Sequence, residues 1–192
     1  LIKRIQALVK KNKIELTSSA KYHALLPLLP FVEIKRQIKL NKEILSKYFN
    51  FQKIKGFYLP EMAFNLATAQ IIKKLGFQYI IIDEINYKGK VDNKILYKIK
   101  NLGLIVVFRN RKISKSYPPE VLYNKLKKEK EEIIITGTDG EIYGHQHEDW
   151  QGHLEKILKK KIKVKTISQY LSTLKIKKNI ILRAGSWESS AE

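Results

Sequence analysis

The chain has 192 residues, is 44% hydrophobic and contains no cysteine. That is enough chain for one sizeable core, and it excludes gross disorder, a disulfide framework and any thiolate metal site. The formal charge of +20 comes from 38 Lys and Arg against 18 Asp and Glu, which taken alone points to an anionic partner such as nucleic acid. The lysines, however, are spread over nearly every expected helix, and clusters such as Lys127-Lys128 and Lys159-Lys160-Lys161 sit on expected helix surfaces or ends. No aromatic-basic RNA-binding signature accompanies them, so no nucleic-acid partner is expected. Every apolar run is interrupted well short of the roughly 20 residues of a membrane span, and Leu1-Ile2-Lys3-Arg4 leads into an amphipathic pattern, not a signal peptide. No membrane association is expected, and a cytoplasmic location follows as the default for a cysteine-free chain. The start at Leu1 and the end at Ala191-Glu192, just past a polar loop, suggest a single domain, 1–192, trimmed at both ends.

In chain order, Leu1 to Lys11 reads as a helix with apolar residues at 1, 2, 5, 8 and 9. Lys13 to Thr17 reads as a short strand, and Pro27 and Pro30 prevent a long helix through Ala24 to Leu29. Val32 to Tyr48 is a helix with its apolar residues mostly on one stripe. Ile54 to Leu59 is a strand ending at Pro60-Glu61, and Asn65 to Leu75 is a helix closed by Gly76. Phe77 to Ile82 and Leu104 to Phe108 are continuous apolar runs, as strands buried on both faces require. Between them, Ile95 to Ile99 forms a short extra strand. Pro118-Pro119 opens a helix to about Lys130, Glu132 to Thr136 is a strand, and Trp150 to Lys160 is a helix. A short strand at Ile162 to Lys165, a helix from Thr166 to about Leu174 and a last strand at Asn179 to Leu182 complete the chain. Strand–helix order, repeated about six or seven times, predicts an α/β fold with a parallel sheet, closed or nearly closed as a barrel. A doubly wound sheet is the alternative. No Gly-rich phosphate loop follows any strand, because Gly137-Thr138-Asp139-Gly140 has neither the Rossmann spacing nor a P-loop Lys-Ser/Thr.

The polar residues fall in a regular place. Thr17, Glu61, Asp83-Glu84, Arg109-Asn110, Asp139 with Glu141, and Trp187-Glu188 all lie just past the C-terminal ends of predicted strands. In parallel α/β barrels that edge carries the active site. The stretch Thr136 to His147 is the densest, with two carboxylates, two imidazoles, a phenol and three glycines in twelve positions. A rim that is acidic on a strongly basic chain suits a neutral polyhydroxyl ligand or a metal. Two carboxylates in one pocket are the minimum for glycoside cleavage: one attacks the anomeric carbon or activates water, and the other protonates the leaving oxygen. Tyr58, Tyr143, Trp150 and Trp187 are candidates for stacking on sugar rings, or for ordinary packing. For a metal, Asp139, His145 and His147 offer oxygen and imidazole ligands. There is, however, no helical HxxxH pair, and His23 and His153 have no partner by spacing. No metal and no cofactor are expected.

At these residues the chain resembles glycoside hydrolase family 57. Gly56-Phe57-Tyr58-Leu59-Pro60-Glu61 is similar to the family's G-x-W-L-P-E block, with Tyr58 in place of the usual Trp. Thr138-Asp139-Gly140-Glu141-Ile142-Tyr143-Gly144-His145 is similar to its D-G/T-E-x-F/Y-G-H block. Ile14-Glu15-Leu16-Thr17-Ser18-Ser19, followed by Tyr22-His23 and Leu25-Leu26-Pro27, is similar to an earlier block, in which Glu15 and His23 match. The family's opening H-x-H-Q-P-type strand and its C-terminal helical portion have no counterpart here. The resemblance implies a parallel (β/α)7-type incomplete barrel acting on α-linked glucans by a retaining mechanism, as amylase, 4-α-glucanotransferase or branching enzyme. The substrate would be an oligo- or polysaccharide. It makes Glu61 the nucleophile and Asp139 the acid/base. His23, Tyr58, Glu141, Tyr143, His145, Trp187 and Glu188 would line the sugar site. Retention requires the two carboxyls roughly 5–7 Å apart. A metal-dependent polysaccharide deacetylase of related architecture is the alternative, and a non-catalytic glycan- or nucleic-acid-binding relic is a third reading.

Overall fold

A computed structural model of the chain describes residues 1–50, 53–126, 132–143, 145–160 and 163–190. Its contacts gather into two units, Leu1–Phe108 with Lys165–Glu192, and Arg109–Val164. The first is built on a six-stranded sheet, β1 (Thr17–Ser18), β2 (Gly56–Tyr58), β3 (Tyr79–Asp83), β4 (Ile95–Ile99), β5 (Ile105–Arg109) and β6 (Ile176–Ile180), in the order β1-β2-β3-β5-β4-β6. The pairs β1/β2, β2/β3 and β4/β6 are parallel.

The pair β4/β5 is antiparallel, an exception within the mostly parallel sheet that the sequence predicts. The reason lies in the turn. Asn101 and Gly103 hold φ of 62° and 68°, and Gly103 N–H donates to Ile99 O at 3.0 Å. Asn and Gly enter the left-handed region cheaply, so the chain reverses in a few residues and no crossover helix is needed. The sheet is mostly parallel and, among the described residues, open, with β1 and β6 as its edges. Lys177 and Lys178 lie exposed on the β6 edge, where charge discourages pairing with another chain.

All of β3 is buried, as its unbroken apolar run requires, and so are four of the five residues of β5. Phe57, Leu59, Phe64, Ile80, Ile82, Leu104 and Phe108 belong to one core. The Glu15 carboxylate accepts from the Tyr79 hydroxyl at 2.8 Å, the Ser168 N–H at 2.7 Å and the Ser168 hydroxyl at 2.5 Å. It thus ties β3 to the start of α7 (Ile167–Leu171). Burial, then the charge and hydrogen bond of Glu15, push the Tyr79 phenol far above its usual range. Around the sheet lie α1 (Ile2–Lys10), α2 (Phe31–Tyr48) and α3 (Leu66–Lys74). Asn65 caps α3 by accepting from Thr68 N–H at 2.8 Å, and Gly76 follows the helix at φ 94°, where the sequence places its end. Among the described residues no helix is long and apolar enough to cross a membrane.

Several boundaries move. The first strand shrinks to Thr17–Ser18, and the last lies at Ile176–Ile180 instead of Asn179 to Leu182. Its register explains the shift: Ile95 to Ile99 pair one-to-one with Ile176 to Ile180.

The second unit holds α4 (Arg111–Ser114), α5 (Pro118–Leu126) and α6 (His153–Lys159). Asn110 caps α4 by accepting from Ile113 N–H at 2.9 Å, and α5 opens on the expected prolines. The stretch Glu132 to Thr136, expected as a strand, is not one. Ile135 O accepts from Asn110 N–H at 2.7 Å, but one bond does not make a ladder. Helix α6 starts three residues later than expected because Gly152, at φ 63°, turns the chain into it. Lys127, Lys128, Lys161 and Ile162 lie outside the described residues, and with them the end of the expected fourth helix and the start of the Ile162 to Lys165 strand.

Candidate active site

Strand β2 delivers the first carboxylate. It runs buried through Phe57 and reaches Leu59, which is also fully buried, before a 3₁₀ turn at Pro60–Met62 reverses it. Inside that turn Glu61 has φ 55° and ψ 16°, and Met62 has φ 47°. Left-handed geometry costs a non-glycine residue about 1–2 kcal/mol, and it persists only where surrounding contacts enforce it. Here they do. Met62 is fully buried, Ala63 N–H donates to Pro60 O at 3.0 Å and Trp187 N–H donates to Glu61 O at 3.2 Å.

Both oxygens of Glu61 are engaged. His23 Nε2 lies 3.0 Å from Oε1, and the Trp187 indole N–H donates to Oε2 at 2.6 Å. His23 is itself left-handed at φ 53°, so three strained residues converge on one carboxylate. The side chains of His23 and Glu61 remain 57% and 37% exposed, so the pair is open to a ligand. Trp187 is buried, and the Tyr58 ring meets it edge-on at 6.5 Å. Glu188, the next residue, is exposed. A carboxylate with donors on both oxygens and one open face is a fixed nucleophile or a fixed electrostatic partner for a developing cation.

The structure therefore brings Glu61 and its near neighbour Tyr58 together with His23 and Trp187, which lie 38 and 126 residues from Glu61 in sequence. Glu15, matched in the same sequence block as His23, goes elsewhere, to the Tyr79 and Ser168 network. Asp83, expected on the rim, is fully buried and accepts from Ile85 N–H at 2.9 Å, capping the 3₁₀ turn Glu84–Asn86.

Asp139 belongs to the second unit. It precedes the 3₁₀ turn Gly140–Ile142 and is exposed, as are Glu141, Tyr143 and His145. The approach to it is pinned at Gly137. Buried Arg109 donates from Nη1 to Gly137 O at 2.7 Å, and Gly137 N–H donates to Ser114 Oγ at 3.2 Å. Past the turn, Gln146 N–H donates to Glu141 O at 2.8 Å and the Thr138 hydroxyl donates to Tyr143 Oη at 3.1 Å. His147 stacks on Tyr117 at 4.0 Å, and Tyr143 tilts against the same ring at 6.0 Å. Burial, reinforced by the nearby charge of Asp149, raises the Tyr117 phenol above its usual range. Asp149 accepts from His153 N–H and Leu154 N–H, each at 2.8 Å. Desolvation pushes its carboxyl up, but these two N–H bonds, with Tyr117 and His153, outweigh it and hold the group below its usual range. Trp150, a sugar-stacking candidate, is exposed beside it.

Sequence reasoning missed Asn86, Arg109 and Asp149 as supports of these loops. Only Arg109 carries a signal, as a polar residue directly after the predicted Leu104 to Phe108 strand, and in the sequence it reads as rim chemistry. His147, weighed as a ligand, is a stacking ring. Among the described residues no three His, Asp or Glu side chains gather as a metal ion requires, so the deacetylase alternative finds no donor set there.

Among solved structures the chain is similar to a 4-alpha-glucanotransferase from Thermococcus litoralis, at 18% identity and a TM-score of 0.79, covering 96% of this chain and 32% of that one. It is also similar to a GH57-type branching enzyme from Pyrococcus horikoshii, at 21% identity and a TM-score of 0.78, covering 97% of this chain and 50% of that one. At such identities the likeness establishes the fold, the α/β incomplete barrel of (β/α)7 type. A curated relative, Alpha-amylase 1 of Dictyoglomus thermophilum, is 28% identical over 85 residues, which is 44% of this chain and 12% of that protein. The chain thus spans half or less of these relatives. The family model for glycosyl hydrolase family 57 matches residues 1–183, nearly the whole chain, and the protein belongs to that family.

Proposed function

We propose that this chain forms one catalytic domain of a retaining glycoside hydrolase or glycosyl-transfer enzyme acting on α-linked glucans. The observation that carries the reading is the Glu61 carboxylate, strained into place past β2 and held at both oxygens by His23 and Trp187. Family membership and the glucan-acting names of the relatives support the substrate class.

In this reading Glu61 attacks the anomeric carbon, and the bond to the leaving oxygen breaks as Asp139 protonates it. Asp139, now a base, takes a proton from water or an acceptor hydroxyl, whose oxygen displaces Glu61 with a second inversion. Water gives hydrolysis and a sugar hydroxyl gives transfer. The indole N–H of Trp187 and the His23 ring keep Glu61 aimed. The exposure of Asp139 suits a group that must exchange protons with solvent or acceptor. His23, Tyr58, Glu141, Tyr143, His145, Trp187 and Glu188 line the sugar site, and a cytoplasmic setting fits the cysteine-free composition.

The test is to trap the intermediate. Asp139→Ala in the natural full-length protein, given an activated α-glucoside, is expected to accumulate a glycosyl ester on Glu61. Azide is expected to restore turnover, giving the α-glycosyl azide. A label on another residue, or azide product of inverted configuration, overturns the assignment.

A further inference from the structure

Trp187 lies well past the end of β6, on a segment with no helix or strand. An indole on such a segment holds a 2.6 Å bond to Glu61 only if its backbone is fixed. The fixing residue is Asn86, at the end of the 3₁₀ turn after β3. It is fully buried. Its Nδ2 donates to Arg183 O and to Gly185 O, both at 3.2 Å, and its own backbone O accepts from Arg183 N–H at 2.9 Å. Arg183 Nε returns a bond to Ile85 O at 2.5 Å.

From there the order passes to the carboxylate. Gly185 and Phe64 exchange two backbone bonds, at 2.8 and 3.1 Å, and Trp187 N–H donates to Glu61 O. The segment is fitted closely to the amide. Gly185 has φ 153°, and a Cβ there would lie 3.1 Å from Ser189 Oγ and 3.5 Å from Asn86 Nδ2.

One atom of this amide argues for purpose. Asn86 Oδ1 is buried and, among the described residues, accepts no hydrogen bond. An unmet buried acceptor costs about 1–3 kcal/mol, a cost that an apolar side chain of similar shape would avoid. What it would lack is the pair of N–H donors that hold residues 183 and 185. We propose that Asn86 is the positioning residue for Trp187 and, through it, for Glu61. The link to Trp187 stands on geometry alone; its consequence for turnover rests on Glu61 being the nucleophile.

Asn86→Leu and Asn86→Asp test it, both in a Trp150→Phe background, where Trp187 is the one remaining tryptophan of two. Both variants are expected to red-shift Trp187 emission and to raise its quenching by acrylamide. Both should lower kcat by roughly tenfold while KM stays within about twofold, the mark of an interaction felt in the transition state. For Asn86→Leu, which strips the Arg183 and Gly185 carbonyls of their side-chain donor, a lower Tm is expected as well, whereas a merely structural role would lower Tm without moving Trp187 emission in the folded protein. Unchanged Trp187 emission in the folded variants overturns the proposal.

Hydrogen exchange on the unaltered protein needs no variant to fold. The Phe64, Arg183, Gly185 and Trp187 amides should exchange as one protected set. Protection of Phe64 with free exchange at Arg183 and Trp187 would also overturn the proposal. Wild-type turnover in Glu61→Gln, by contrast, removes the nucleophile assignment and leaves the emission result standing.

Discussion

The Glu61 turn and the Asp139 loop carry the same chemical group in opposite settings. Around Glu61 three residues hold left-handed backbones, both carboxylate oxygens are bonded, and Leu59 and Met62 beneath are fully buried. Around Asp139 the side chains are exposed, and the loop is pinned at a few points: Gly137 by Arg109 and Ser114, and Gln146 by Glu141. A nucleophile must meet one carbon along one line, so misplacement is costly and strain is tolerated to prevent it. An acid/base must give up a proton and take one back, which needs access more than rigidity.

The contrast can be broken most severely at Glu61. Glu61→Gln keeps the shape and one oxygen to accept from the Trp187 indole N–H, and is expected to lower kcat on an α-glucan by about 10⁴-fold or more with only a modest change in Tm. Asp139→Asn should cost less, roughly 10²–10⁴-fold, and less still on substrates with activated leaving groups that need no protonation. If the two losses are reversed on an activated substrate, the roles are reversed too.

Trp187→Phe removes one hydrogen bond to a charged group while keeping an aromatic ring. At about 1.5–3 kcal/mol for such a bond, kcat should fall roughly 10- to 100-fold. In a calorimeter the two regions should differ again at glycine. A Cβ at Gly56 would lie 2.1 Å from the Tyr79 ring, so Gly56→Ala is expected to cost at least about 1–3 kcal/mol. Nothing lies within 4 Å of a Cβ at Gly140, beside Asp139, and Gly140→Ala should leave Tm nearly unchanged.

The smallest effect concerns pH. Asp149 has a lowered pKa in the fold, so its contribution is complete above the ordinary aspartate range and is lost as pH falls through the lowered value. Thermal melts of the wild type and of Asp149→Asn should therefore converge in acid and separate near neutrality. Curves that run parallel over the whole range would show that Asp149 makes no such contribution.

Much of this was readable from the sequence, for local reasons. The apolar runs of β3 and β5 predict buried strands because no other element takes so many apolar residues without a polar face. Gly76 closes α3, and Pro118-Pro119 opens α5, because backbone geometry there depends on one or two residues. The blocks around Glu61 and Asp139 are short and contiguous, so they can be recognised without any fold.

Other features needed the folded chain. The antiparallel β4/β5 pair, the loss of the Glu132 to Thr136 strand and the register of β6 depend on which strands meet, and strand pairing is not written in either partner alone. The diversion of Glu15 to Tyr79 and Ser168, and of Asp83 to a buried cap, shows that a carboxylate near a strand end takes its role from whichever donors reach it. By itself the sequence determined the family blocks that mark Glu61 and Asp139 as candidates. Tertiary structure decided how Glu61 is held, because His23, Asn86 and Trp187 become neighbours only when β1, β2, β3 and the segment after β6 are brought together, and no local signal specifies contacts across a hundred residues of chain.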